Sequence, residues 1–318
     1  MILNIIFWLL LVLVTILFGY LLTRAWRAQN ALVKWGGTIL AGLMTLLMAL
    51  ISLVTAGGFY QSYAPRGSAP TDLKVAMSPE QVARGEHLAN TMCVSCHSMN
   101  NQLPLSGGRD IGKDSPLPIG SYIALNLTPG GPLRHWSDGE IMRALTEGVD
   151  RTGSPLAVMS SNAVRYLSDE DKQAVIAYLR SQPAVTTATV EPDQPNLLAF
   201  MLVGAGVVKL TPPLTGPVVA PPKGATAEYG KYIVDYSDCR SCHGQDLTGG
   251  TDPTMPHGAN LRVVRGWTAE QFISTFRTGI DPAGHVLAPM MPWMVLARLD
   301  DVELTAIYTY LHGLGTAQ

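Results

Sequence analysis

Residues 93–97 read Cys93-Val94-Ser95-Cys96-His97, and residues 239–243 read Cys239-Arg240-Ser241-Cys242-His243. Together they use all 4 cysteines of a 318-residue chain. A Cys-x-x-Cys-His stretch is the signature of covalent c-type haem attachment. Two thiols three positions apart share a helical turn and can add to the two vinyl groups of one porphyrin. The adjacent histidine then lies under the iron and can offer an imidazole nitrogen as proximal ligand. The competing readings fit less well. Zinc needs four ligands close together, and the gap from Cys96 to Cys239 far exceeds the usual spacing between cysteine pairs. A thioredoxin-type dithiol needs a βαβ setting, and disulfides would leave both histidines unexplained.

The flanks of the two motifs repeat in order and spacing. Each motif follows a helix-like stretch, PEQVARGEHLANTM or ATAEYGKYIVDYSD. Each is followed by an Asn-Leu pair at Asn126 or Asn260, then a Trp-led helix starting at Trp136 or Trp267. After a methionine-bearing loop come the apolar closing helices LSDEDKQAVIAYL and LDDVELTAIYTYL. Ser168 is a natural N-cap with Asp171 in a box-like position, and Asp300 takes the same place in the second copy. No alternating β-branched run is long enough to build a sheet. The soluble part therefore reads as helical with long loops, and a buried porphyrin would supply much of the apolar contact that so thin a core lacks.

Upstream of the repeat the composition changes. Ile5–Leu22, IIFWLLLVLVTILFGYLL, carries no charge, and neither does anything between Lys34 and Arg66. Each stretch is long enough to cross a hydrocarbon core, which takes about 20 helical residues. The first lacks the basic n-region and small-residue cleavage site of a signal peptide, and its apolar part is too long for one. Two retained spans are expected. The loop between them holds Arg24, Arg27 and Lys34 and no acidic residue, which points it to the cytoplasm and everything after residue 62 to the outer side. Haem attachment outside the cytoplasm agrees with that orientation. The expected organisation is a transmembrane hairpin at 1–62, haem domains at 77–185 and 225–318, and a Pro-rich linker at 186–224. The apolar stretch NLLAFMLVGAGVVKL in that linker is too short to span and reads as a helix packed between domains or at the interface.

At this point the chain resembles the class I cytochrome c family, present in tandem over nearly all of residues 77–318. The resemblance rests on the haem motif, the methionine loop and the closing Tyr-Leu helix. It implies an all-α fold, a two-helix transmembrane hairpin followed by two class I cytochrome c domains, with two covalently bound haem c groups held at Cys93, Cys96, Cys239 and Cys242. His97 and His243 would be the proximal iron ligands. In that family a methionine ahead of the last helix is the distal ligand. Met159 fits in the first domain, although Ser160 stands where the family has proline. In the second, Met290, Met291 and Met294 compete. Counting back from Leu299 as from Leu167 selects Met291, which opens a Met-Pro-Trp sequence, whereas gapless alignment from Gly153 and Gly284 selects Met290. The remaining histidines, His87, His135, His257, His285 and His312, could in principle give bis-histidine ligation, but most read as surface or loop residues. Arg143 and Arg277 could pair with a haem propionate or lie on a solvated helix face.

A haem with histidine and methionine ligands is coordinatively full, so it exchanges electrons without binding substrate. There is no nucleotide-binding glycine fingerprint, and a net charge of −2 argues against a nucleic-acid partner. The expected function is a dihaem c-type cytochrome subunit passing electrons along the outer membrane face of a respiratory or photosynthetic complex. It would sit in the bacterial inner membrane, haem domains in the periplasm, beside other membrane subunits and a redox donor or acceptor. Small residues on the second span, among them Gly36, Gly37, Gly42, Gly57 and Gly58, would admit close helix contacts. Residues 225–318 hold six basic and ten acidic side chains, a net of −4, which would attract a basic partner. The overall plan looks similar to dihaem subunits of C-type haem–copper oxidases. Local motifs look closer to cytochrome subunits of membrane alcohol dehydrogenases, which typically carry three haems. The alternative is a dihaem oxidoreductase, of peroxidase or thiosulfate-oxidising type, with one open haem.

Overall fold

The computed structural model describes residues 2–186, 193–209, 214 and 216–314. Parts of the Pro-rich linker, 187–192, 210–213 and 215, lie outside the described residues. In chain order the helices are α1 (Ile2–Trp26), α2 (Ala31–Tyr63), α3 (Pro79–Leu88), α4 (Val94–His97), α5 (Asp138–Glu147), α6 (Asp169–Ser181), α7 (Leu197–Gly204), α8 (Ala227–Tyr236), α9 (Cys239–His243), α10 (Ala269–Thr278), α11 (Trp293–Leu296) and α12 (Asp301–His312). The only paired strands among the described residues are β1 (Gly120–Ser121) and β2 (Gln194–Pro195), which run antiparallel. The fold is all-α.

One compact unit comprises Met1–Ala64, Pro118–Ser121 and Asp193–Leu210. Its helices α1 and α2, with mean hydropathy 2.8 and 2.4, are long and apolar enough to cross a membrane. Their polarity is reversed relative to a water-soluble helix pair. Leu9, Leu13, Ile16, Leu43 and Leu50 point outward, while Asn4, Ser52 and Thr55 are buried. The buried hydroxyls of Ser52 and Thr55 donate to carbonyls one turn back, at 2.8 and 2.7 Å, and the Trp8 indole donates to the Ser52 carbonyl at 2.9 Å. Polar groups turned inward and satisfied within the chain are what a lipid surround requires. The protein is membrane-anchored.

Helix α7, the apolar stretch of the linker, packs on α2. Phe200 stacks on Phe59 with ring centroids 4.2 Å apart. The approach is backbone to backbone: a Cβ on Gly58 would lie 1.8 Å from the Phe200 carbonyl oxygen, and one on Gly204 would lie 1.9 Å from that of Val54. Several small residues of the second span are therefore spent inside the chain. Gly58 admits α7, Gly37 faces Ala25 and Gly42 faces Leu22, whereas Gly36 and Gly57 border open space.

The second compact unit, Pro65–Leu117, Tyr122–Pro192 and Thr211–Gln318, contains both haem-motif regions. In each, the helix before the motif crosses the closing helix, α3 on α6 and α8 on α12. A glycine makes each crossing possible, Gly85 facing the backbone of Ala174 and Gly230 facing that of Ala306. Capping boxes start α5 at Ser137/Glu140, α10 at Thr268/Gln271 and α12 at Asp300/Glu303. At α6 only half a box forms. Ser168 Oγ accepts from the Asp171 N–H, but the Asp171 carboxylate binds Arg84 and Tyr232 instead of returning to the cap.

Candidate functional site

The two regions enter their cysteine motifs differently. Cys93 lies eight positions after Gly85, whereas Cys239 lies nine positions after Gly230. In the first, Ala89–Cys93 forms a π-helical turn that runs into α4. In the second, the extra residue is absorbed at Asp238, whose left-handed φ of 61° ends α8 and restarts the chain as α9. Local irregularity of this kind is common where a chain must aim particular side chains. Asp238 is a residue type that tolerates the left-handed region.

Both histidines are held in the same way. His97 Nδ1 lies 2.8 Å from the Leu125 carbonyl oxygen, and His243 Nδ1 lies 2.7 Å from that of Ala259. A carbonyl accepts only, so Nδ1 carries the proton in both rings and Nε2 keeps its lone pair. That is the tautomer and ring orientation a metal-ligating histidine needs. Burial pushes the His97 imidazole below its ordinary range, against the opposing effect of the Leu125 hydrogen bond, and so favours the neutral, ligating form. Close packing fixes the His243 ring further: a Cβ on Gly258 would lie 2.7 Å from His243 Nδ1. The sequence points to these supports only indirectly. Leu125 and Ala259 each precede the Asn of a repeated Asn-Leu pair, but a backbone acceptor can be any residue type.

The thiols are all free of disulfides. Burial pushes Cys93 and Cys239 up to about 12, with smaller contributions from their motif partners and, for Cys239, from Asp238. Such a thiol is a poor thiolate ligand for a bare ion and a poor redox nucleophile. Among the described residues, no three His, Cys, Asp or Glu side chains gather to hold a metal ion. The donor set, two half-buried thiols beside an imidazole with a free Nε2, fits a porphyrin.

On the distal side the repeat carries a shift. After the Trp-led helices, Gly148 and Gly279 adopt left-handed φ of 66° and 73°. Matching bridges follow, Val149 with Pro155 and Ile280 with Val286. The carbonyls of Gly148 and Gly279 accept from Leu156 and Leu287, each at 2.8 Å. From there to Leu167 and Leu299 the second loop is one residue longer. Met159 and Met291 are half-buried and pack against the hydrophobic core. Met290 and Met294 are 53% and 59% exposed.

Other residues noted in the sequence fall elsewhere. His87 is no free surface residue, since its ring pairs with Glu303 of the second region at 2.8 Å. Arg143 is buried and donates to the carbonyls of Ser68, Asp150 and Arg151. Arg277 donates to the Ala297 carbonyl and pairs with Asp301 at 2.7 Å. Both arginines thus brace the loops around the methionines.

Asp238 also gives a pH-dependent expectation. Burial raises its carboxyl to about 6, against the hydrogen bond it accepts from Ser241. A folded-state value above the unfolded one means the ionised form costs stability above pH about 6, while below the unfolded value both states hold the proton and the cost vanishes. Asp238→Asn, which keeps the left-handed residue, should raise the thermal midpoint above pH about 6. The gain should fade towards pH about 4. A gain independent of pH in paired melting curves would contradict this account.

Residues 80–179 and 225–311 match the family described as "Cytochrome C oxidase, cbb3-type, subunit III". The chain is 27% identical over 269 residues to the gluconate 2-dehydrogenase cytochrome c subunit of Pantoea cypripedii, covering 74% of this chain and 59% of that one. It is 27% identical over 255 residues to the fructose dehydrogenase cytochrome subunit of Gluconobacter japonicus, covering 74% and 49%. A diheme cytochrome c-type protein of Cereibacter sphaeroides is 32% identical over 115 residues, covering 34% and 38%. The chain thus spans half to three-fifths of the length of the first two relatives.

Proposed function

The chain belongs to the cbb3-type cytochrome c oxidase subunit III family, and from that premise we propose that it is the dihaem electron-transfer subunit of a membrane oxidoreductase. The observation that carries the proposal is the repeated histidine arrangement, with Nδ1 committed to a backbone carbonyl and Nε2 left for iron in both motif regions. When bound, haem c supplies a one-electron ferric/ferrous couple. Cys93 and Cys96 would hold the first group through thioethers and Cys239 and Cys242 the second, with His97 and His243 each offering Nε2 to an iron. Met159 and Met291 would supply the remaining iron ligands, and their half-buried packing against the core supports that role. A closed sixth position keeps water and substrate off the iron, while a thioether favours the reduced state and raises the potential.

The basic loop between the spans supports a cytoplasmic turn and haem domains in the periplasm of a bacterial inner membrane. The named relatives support a partner of the dehydrogenase or terminal oxidase class, which this subunit would connect to the next redox carrier. Near-infrared magnetic circular dichroism of the oxidised, purified chain tests the reading. Two methionine-to-iron charge-transfer signatures are expected. A high-spin haem that takes up cyanide readily would overturn it and favour an enzyme with one open iron.

A further inference from the structure

The contacts between the two haem-motif regions obey a rule that neither sequence nor family membership supplies. His87 lies two residues after the crossing glycine Gly85, and Tyr232 lies two residues after its counterpart Gly230. Asp171 is the third residue of α6, and Glu303 the third residue of α12. The structure pairs these positions crosswise. His87 Nε2 meets the Glu303 carboxylate at 2.8 and 3.0 Å, and the Tyr232 hydroxyl donates to Asp171 at 2.7 Å. Position i of one region therefore meets position j of the other, and j meets i. That is the reciprocity of an isologous interface, here within one chain.

Backbone segments follow the same rule. Helix α11, just after Met291, rests on Ala89–Cys93 of the first region. Ala163–Tyr166, just after Met159, rests on α8 of the second. Arg84 lies between the two crosswise pairs and reaches both acids, Asp171 at 2.7 and 2.8 Å and Glu303 at 3.5 Å. Glu303 is fully buried and Asp171 nearly so. Arg298, two residues past α11, donates to the Asn90 side chain and carbonyl and to the Asn101 carbonyl, at 2.6 to 2.8 Å. In each direction, then, the segment after one candidate distal ligand seats on the stretch leading into the other region's cysteines.

We propose that the two haem domains form an internal quasi-two-fold dimer, in which Arg84, His87, Asp171, Tyr232 and Glu303 are positioning residues that fix the two attachment segments against each other for direct electron exchange. The proposal rests on the electron-transfer reading for its purpose but not for its geometry. Buried pairs of this sort contribute little net stability relative to apolar packing and are better understood as setting one register. With haem bound in both regions, the exchange would move one electron from a ferrous to a ferric iron, with no proton required.

The test is a dipolar distance measurement by pulsed electron paramagnetic resonance between the two low-spin ferric irons of the full, detergent-purified chain. Wild type should give one narrow interhaem distance. Glu303→Ala and Arg84→Ala should each broaden it several-fold while the haem absorption spectrum persists. The double variant His87→Tyr with Glu303→Asp, which converts one half of the interface into a copy of the other, should restore the narrow distance. A broad wild-type distribution, or variants identical to wild type, would overturn the proposal. So would a double variant as broad as Glu303→Ala, because it denies the equivalence of the two halves. A high-spin, cyanide-binding haem alongside a narrow distance would instead sink the electron-transfer reading and leave the quasi-dimer standing.

Discussion

Met291→Leu should abolish one of the two methionine charge-transfer signatures and lower the potential of that haem by a few tenths of a volt, within the roughly 0.8 V that axial ligation spans. The direction follows from removing a thioether that stabilises ferrous iron. The emptied sixth position should also turn that haem high-spin and open it to small exogenous ligands. Met290→Leu should change neither signature nor potential, because Met290 is 53% exposed whereas Met291 packs against the core. Spectroelectrochemical titration of the two variants beside wild type reads both effects. If Met290→Leu lost the signature and Met291→Leu kept it, the ligand assignment would be reversed.

The ambiguity between those methionines shows which parts of the molecule can be read from sequence. Apolar runs and paired Cys-x-x-Cys-His motifs announce the hairpin and the tandem repeat, since each depends on residue types that water and porphyrin chemistry select. The one-residue insertion between Leu287 and Leu299 has no such marker. Alignment from the glycine side and from the closing helix are each right at their own end, and the deeper packing of Met291 favours the second. Likewise the extra residue before Cys239, absorbed at Asp238, is hidden in a motif that looks unbroken. The carbonyls of Leu125 and Ala259, which orient the His97 and His243 rings, leave no compositional trace because any residue has a carbonyl.

The docking of α7 and the crosswise interface were illegible for another reason. An eight-residue apolar helix states that it must be buried but not by what. The backbone approaches at Gly58 and Gly204 and the Phe200–Phe59 stack identify α2 as its partner. His87 and Tyr232 occupy equivalent positions yet share no chemistry as residue types, so their common role appears only when both are seen on an acid of the opposite region. Lone polar residues such as His87 read as surface until a partner some two hundred positions away is brought to them.

Gly85→Ala and Gly230→Ala should each be strongly destabilising to the soluble unit. In an exposed helix interior, alanine is favoured over glycine by about 1 kcal/mol, so glycine at both crossings runs against helix propensity and needs a reason. The geometry supplies it. A Cβ at Gly85 would lie 1.8 Å from the Ala174 carbonyl oxygen and 2.9 Å from the Tyr178 Cβ, and one at Gly230 would lie 1.9 Å from the Ala306 carbonyl oxygen. The nearest obstacles are backbone carbonyls of the closing helix, which cannot rotate away as a side-chain tip can. The crossing helices would have to separate, loosening the layer that packs Leu88 and Val175 in the first domain and Ile233 and Ile307 in the second. Overpacking of this kind costs about 1–3 kcal/mol and sometimes more, which for a domain of this size lowers the melting temperature by on the order of 10 °C. Gly266→Ala is the matched control, since nothing lies within 4 Å of its Cβ position, and it should leave the melting temperature almost unchanged. Circular dichroism melts of the three variants would settle the comparison: equal melting temperatures for Gly85→Ala and Gly266→Ala would mean that the α3–α6 crossing does not hold the first haem domain together.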